Sequence, residues 1–148
     1  MNIKKATSAF LGLILFVALT QSAFARQPSN TSNLVGTWVN VNPATGGIVK
    51  IVVTDNRLGF RINTFGACSP TPCNHGFIPA LRFSKSVSST VAQGLRGQYN
   101  FGFSTMLVTG QRVYDLDGGN FLKLESFTKF AAGDTRNDYT RTELFRKQ

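Results

Sequence analysis

The sequence predicts an all-β domain: a single antiparallel eight-stranded up-and-down barrel, with a β-sandwich as the alternative. Three observations carry this. From Leu34 onward the chain consists of short β-branched and aromatic runs separated by Gly, Asn, Asp and Pro, the pattern of antiparallel strands. No stretch after residue 25 repeats its apolar residues every ~3.6 positions over a helix's length. Gly97, Gly102 and Gly110 weaken a helical reading further, and glycines inside long strands suit the sharp coiling of a closed barrel.

The elements follow in order. Asn2, Lys4 and Lys5 form a short basic head, Phe10 to Leu19 an apolar core, and Ala23-Phe24-Ala25 a small-x-small site. This predicts a signal peptide over 1–25, because the apolar run is too short to span a bilayer and lacks a stop-transfer flank. The expected location is periplasmic or extracellular, with no transmembrane anchor after cleavage. A polar, flexible lead-in covers 26–33, and its Asn30-Thr31-Ser32 sequon is idle behind a leader of bacterial type. One barrel domain then occupies 34–148.

Strands are expected at 34–41, 47–54, 58–65, 80–87, 95–103, 105–115, 120–130 and 138–146. The joints carry residues that preset φ or tolerate positive φ: Asn42-Pro43-Ala44-Thr45-Gly46-Gly47, Asp55-Asn56-Arg57, Asp117-Gly118-Gly119-Asn120 and Ala132-Gly133-Asp134. Two longer breaks interrupt the meander: a cysteine-containing loop running through Gly76 and Pro79, and the stretch from Ser86 to Gly94.

Losing the leader removes Lys4 and Lys5, two of 16 basic side chains, and leaves all 7 acidic ones, so the mature chain stays distinctly basic. That balance bears on solubility and attraction to anionic surfaces and names no partner. Lys50, Arg57, Arg61, Arg82, Lys85, Arg96 and Arg112 occur singly and not in runs, without the clustering and interleaved stacking aromatics of a nucleic-acid site, which argues against nucleic acid. Thirteen phenylalanines, most of them beyond the leader, supply unusual aromatic packing volume.

Cys68 and Cys73 enclose Ser-Pro-Thr-Pro, and in an exported chain a disulfide is the default. A loop this short gains only about 2 kcal/mol from closure, so the bridge shapes a loop more than it holds the fold. A metal site would need His75 as a third ligand and offers no fourth, so no metal is expected; nothing calls for a cofactor. Nor is a catalytic constellation visible. His75, on an exposed loop with no acidic neighbour, reads as a surface or structural histidine, and the Asp115 and Asp117 carboxylates beside Gly118-Gly119 read as turn residues before a glycosidase pair. The chain is therefore expected not to be an enzyme.

Gly36-Thr37-Trp38 at the head of the first strand, with an arginine in the last, resembles the calycin superfamily of lipocalins, fatty-acid-binding proteins and avidins. The resemblance implies that Gly36 and Trp38 close one barrel end and that an arginine packs across Trp38, with Arg141 and Arg146 both candidates on opposite faces. Avidins share Gly-Thr-Trp followed by the residue at Asn40, which in that family meets biotin's ureido group. The absence of a second tryptophan and the Asn42-Pro43 that follows argue against biotin. Over most of its mature length the chain also resembles small exported bacterial β-barrel domains of unassigned function. The shared segments are Gly-Thr-Trp-Val-Asn-Val, a Cys-x4-Cys-x-x-Gly loop, Tyr99-Asn100-Phe101-Gly102-Phe103 and Phe127-Thr128-Lys129-Phe130. That group carries an acidic and an aromatic residue where this chain has Asn74 and His75.

Period-two alternation places Leu95, Tyr99, Phe101 and Phe103 on one face of the fifth strand, where they either fill a solid core or line an apolar cup. Two readings follow. In the first, the barrel holds a small apolar or aromatic ligand, with Asn40, Tyr99, Phe101 and Phe103 as candidate lining and Arg61 and Arg82 as cationic rim groups. In the second, the chain is an extracellular protein- or glycan-binding module, such as an inhibitor or envelope-associated domain. It would act through the Cys68–Cys73 loop and exposed aromatics.

Overall fold

The computed structural model describes residues 30–148 apart from Ser32 and Asp117. The signal peptide, its cleavage site, most of the lead-in and the Asp117 side of the expected turn lie outside the described residues. The chain forms β1 (Gly36–Asn40), β2 (Ile48–Asn56), β3 (Gly59–Gly66), β4 (Cys73–Ser84), β5 (Ala92–Asn100), β6 (Ser104–Tyr114), β7 (Asn120–Phe130) and β8 (Tyr139–Lys147). Each pairs antiparallel with the next, and β8 returns to β1, so the sheet is a closed barrel. Closure removes both sheet edges, the outcome the in-strand glycines favour over a sandwich.

Most strand boundaries shift by a few residues from the sequence reading, β5 starting at Ala92 inside the expected Ser86–Gly94 break, and three of the shifts have a plain local reason. β4 begins at Cys73 instead of residue 80, because it pairs with β3 across a bulge between Asn63 and Phe65 where Gly76 takes φ +83°. The glycine that reads as a loop signal in fact serves that bulge. β5 ends at Asn100 instead of 103: Gly102 turns at φ +81°, Phe101 N–H donates to Ser104 O at 2.9 Å, and Phe103 lies in a turn outside the strand row. β1 begins at Gly36 because Leu34 and Val35 donate their N–H groups to Thr31 O at 2.8 and 3.0 Å, closing a turn first.

The described end of the lead-in is tied down. Asn30 N–H donates to Thr90 O at 2.7 Å, and Ala92 N–H donates to Asn30 O at 3.0 Å. Thr31 Oγ1 donates to Asp55 Oδ2 at 2.6 Å, and that carboxylate also pairs with Arg82 at 2.9 Å. The core fills the half of the barrel nearest this end. Trp38, Leu34, Ile51, Ile62, Leu95, Leu122, Leu124 and Phe145 are each no more than 2% exposed. Inward glycines are part of this filling: a Cβ on Gly97 would lie 2.7 Å from Ile62 Cδ1, and one on Gly110 would lie 3.1 Å from Leu95 Cδ1. Leu122 and Leu124 face in, which leaves Phe121 and Phe127 on the outer wall. The solid-core alternative thus holds for this half.

Candidate functional site

The other end of the barrel is built differently, and strand direction explains how. On five of the eight strands the inward positions change from apolar to polar toward one end of the barrel. On β1, Trp38 gives way to Asn40; on β3, Phe60 and Ile62 to Thr64; on β7, Leu122 and Leu124 to Ser126 and Thr128. On β6, Ser104 precedes Met106 and Val108, and on β8, Glu143 precedes Phe145. Because the strands are antiparallel, all of these changes fall toward the same end, the mouth formed by the β1–β2, β3–β4, β5–β6 and β7–β8 connections. Asn40, Thr64, Ser104, Ser126 and Thr128 are all buried there.

Glu143 and Asn40 organise one side. Asn40 Nδ2 donates to Ile48 O at 2.8 Å and to Glu143 Oε1 at 3.1 Å, Ile48 N–H donates to Glu143 Oε2 at 3.0 Å, and Thr45 Oγ1 donates to Glu143 Oε1. The carboxylate therefore fastens the β1–β2 loop to β8. Arg141, Thr45 and Asn42 extend this corner into an open recess of about 310 Å³.

The opposite side is aromatic. Tyr99 and Phe101 stack at 5.7 Å with an interplanar angle of 4°, Phe103 continues the stack at 6.2 Å, and His75 meets Tyr99 and Phe101 edge-on at 5.8 and 5.2 Å. Tyr99 is 2% exposed; its hydroxyl accepts from Thr64 N–H at 2.9 Å and donates to Ile62 O at 3.3 Å. Burial raises the Tyr99 pKa above its ordinary value, partly offset by the Thr64 hydrogen bonds, so the phenol stays protonated. His75 Nδ1 lies 2.9 Å from Thr64 Oγ1, and burial lowers the His75 pKa, favouring neutral imidazole at pH 7. Across the top, Arg136 of the β7–β8 connection lies over both Phe130 at 4.1 Å and Phe103 at 5.1 Å. Asp134 grips its guanidinium at 2.7 and 3.0 Å, which holds the Asp134 carboxyl down to about 2. Among the described residues three buried polar atoms have no hydrogen-bond partner: Arg61 Nε and Asn63 Oδ1 on the outer face of β3, and Thr128 Oγ1, which alone of the three faces the mouth.

Of the residues singled out in the sequence, Asn40, Tyr99, Phe101 and Phe103 do meet at this mouth. Arg61 and Arg82 do not form its rim. Arg61 lies on the outer wall, donating Nη2–H to Phe77 O at 2.8 Å, and Arg82 pairs with Asp55 at the closed end. Strand register decides both placements: Arg61 sits opposite Thr54 and Pro79, and Arg82 opposite Leu95. The cation over Trp38 is Lys147, 5.5 Å from the ring, in place of either arginine. Lys147 is the cross-strand partner of Trp38, whereas Arg146 faces outward over Phe121 and Arg141 reaches Tyr139 at the mouth. Gly36 adjoins the same lysine, and Trp38 Nε1–H donates to Leu34 O at 2.8 Å.

Sequence reasoning missed Thr64, His75, Ser104, Ser126, Thr128, Arg136 and Glu143. The available signal was the run of hydroxyls in step with Leu122 and Leu124 on β7. His75 is not on an exposed loop: it is half-buried in β4 and faces the mouth because β4 starts early. Cys68 and Cys73 are bonded, with Cα atoms 5.4 Å apart, and their loop forms part of the rim. Asp115 accepts from Gly119 N–H, as a turn residue does.

The chain superposes on the X-ray structure of a biotin-binding protein from chicken with a TM-score of 0.52 and 17% identity, over 80% of this chain and 100% of that one. The likeness is one of fold, a closed eight-stranded antiparallel barrel. No family model and no curated protein matches the chain.

Proposed function

We propose that this chain is an exported, non-catalytic binding protein that holds one small planar ligand bearing hydrogen-bonding groups in the mouth of its calycin-type barrel. The observation that carries the reading is that the inward rows of β1, β3, β6, β7 and β8 all change from apolar to polar toward the mouth, with Thr128 Oγ1 buried there and unpartnered. Phe101 and Phe103, backed by the buried Tyr99, offer ring surface to an aromatic or heterocyclic ligand, while the opposing amide, hydroxyl and carboxylate groups fix its orientation. The structural relative is itself described as binding biotin, which supports a small-molecule role here. The lone tryptophan of this chain is buried in the floor, so biotin is expected to bind weakly or not at all. The Cys68–Cys73 disulfide is compatible with export to the periplasm or the medium.

Calorimetric titration with biotin, aromatic carboxylic acids, cyclic ureas and medium-chain fatty acids tests the reading. One-to-one saturable binding of a ring-bearing compound, weakened about tenfold by Thr128→Val and by Asn40→Ala, is expected. If no compound saturates the protein, or if both variants bind as the parent does, the mouth is not the site.

A second reading, a protein- or glycan-binding module, draws on the exposed Phe77, Leu81 and Phe83 of the outer wall and on the exposed tip of the Cys68–Cys73 loop. Deleting Pro70-Thr71-Pro72 should then abolish partner capture without changing the melting temperature.

A further inference from the structure

A groove of about 700 Å³ lies on the outer wall toward the closed end, lined by β4 to β7 and separate from the mouth. Its volume falls within the range of about 300–1,000 Å³ common to small-molecule sites. The sequence creates it at Gly94, which sits on β5 between Phe83 of β4 and Gln111 of β6. A Cβ on Gly94 would come within 3.2 Å of Gly110 O and 3.7 Å of Phe83 Cβ, so backbone is exposed where a side chain would otherwise stand. The β4 bulge between Phe83 and Ser84 lies alongside.

The lining has two kinds of group. Phe83 and Tyr114 leave 49% and 59% of their surface in water, an uncommon exposure for two aromatic side chains flanking one concavity. Lys85, Arg96 and Lys123 stand against a single carboxylate, Glu125, which Lys123 already engages at 3.0 Å. Arg96 and Lys85 are exposed and have no ion pair among the described residues. The row of Leu81 and Phe83 continues the apolar surface along β4 away from these cations.

From this we infer a second binding site, independent of the mouth: the outer groove takes a single-chain anionic amphiphile. Its phosphate or carboxylate head meets Arg96 and Lys85, and its alkyl tail lies against Phe83 and the exposed backbone at Gly94. A guanidinium fork that makes no ion pair matches a planar or tetrahedral oxyanion, and a tail covering two exposed rings adds apolar burial that a simple ion cannot supply. Concavity distinguishes the groove from a flat membrane-facing surface, so the occupant is one amphiphile molecule instead of a bilayer.

The probe is decyl phosphate below its micellar concentration, titrated into the mature protein by calorimetry, with neutral decyl maltoside and phosphatidylglycerol vesicles as comparisons. One-to-one saturation by decyl phosphate is expected, weakened about tenfold or more by Arg96→Gln and clearly by Phe83→Ala. Phe127→Ala, on the outer wall beyond the groove, should leave it unchanged, and all three variants should keep the parent melting temperature. Equal binding of decyl maltoside, equal affinity in R96Q, or association only with vesicles would each overturn the proposal.

Discussion

His75 shows how a single side chain changes meaning with its surroundings. It faces the mouth between Thr64, Tyr99 and Phe101, and burial holds its pKa below the ordinary histidine value of 6.5. A base whose folded pKa is depressed stays neutral in the fold while the unfolded chain takes up the proton first. Stability is therefore complete above the unfolded value of about 6.5 and declines as pH falls through it toward the folded value. As the chain's only histidine, His75 should dominate this window. The melting temperature is expected to drop between about pH 7 and pH 5, and less so in His75→Gln; superimposable profiles for the two proteins would refute the assignment. Asp134 acts in a different range. The Arg136 guanidinium holds the Asp134 carboxyl down to about 2, so the clasp over Phe103 and Phe130 persists across the whole window from about pH 7 to pH 5.

At the scale of the element, β5 links floor to mouth. Leu95, Gly97 and Tyr99 form its inward row, and the absence of a side chain at Gly97 leaves room for Ile62 and Ile78, whose Cδ1 atoms would stand 2.7 and 2.9 Å from an added Cβ. Gly97→Val forces both isoleucines aside within a filled core, at a cost of about 1–3 kcal/mol. Urea denaturation measures this directly, and an unchanged midpoint would mean that the core yields freely there. The period-two alternation of β5 is plain in the sequence, as are most strand spans. The β4 start was not, because Gly76 and Pro79 signal a loop by composition while Gly76 actually serves a bulge. Phe103 was misplaced for a related reason: the turn at Gly102 comes before it.

For the whole molecule, closure rests on an uneven ring of pairings. β6 and β7 share eleven paired positions, whereas β1 and β8 share three, between Trp38 and Lys147, Val39 and Arg146, and Asn40 and Phe145. The seam is thus the thinnest part of the sheet, reinforced at its mouth end by Glu143 and the β1–β2 loop. In hydrogen exchange, backbone amides of β8 facing β1 should lose protection before those between β6 and β7, since local opening follows the density of pairing. Equal protection around the ring would show that the barrel opens only as a unit.

The sequence by itself determined the all-β class, the number of strands and the Trp38 anchor, because strand alternation and turn chemistry are local properties of consecutive residues. It also supplied Asn40, Tyr99 and Phe101 as mouth residues. Only the tertiary structure decided which polar residues share that mouth, that Lys147 covers Trp38, and that Arg61 and Arg82 lie elsewhere. Those outcomes depend on register between strands distant in the chain. A shift of one residue would send Thr128, His75 and Glu143 to the outer wall, and no local pattern in their own segments fixes that shift.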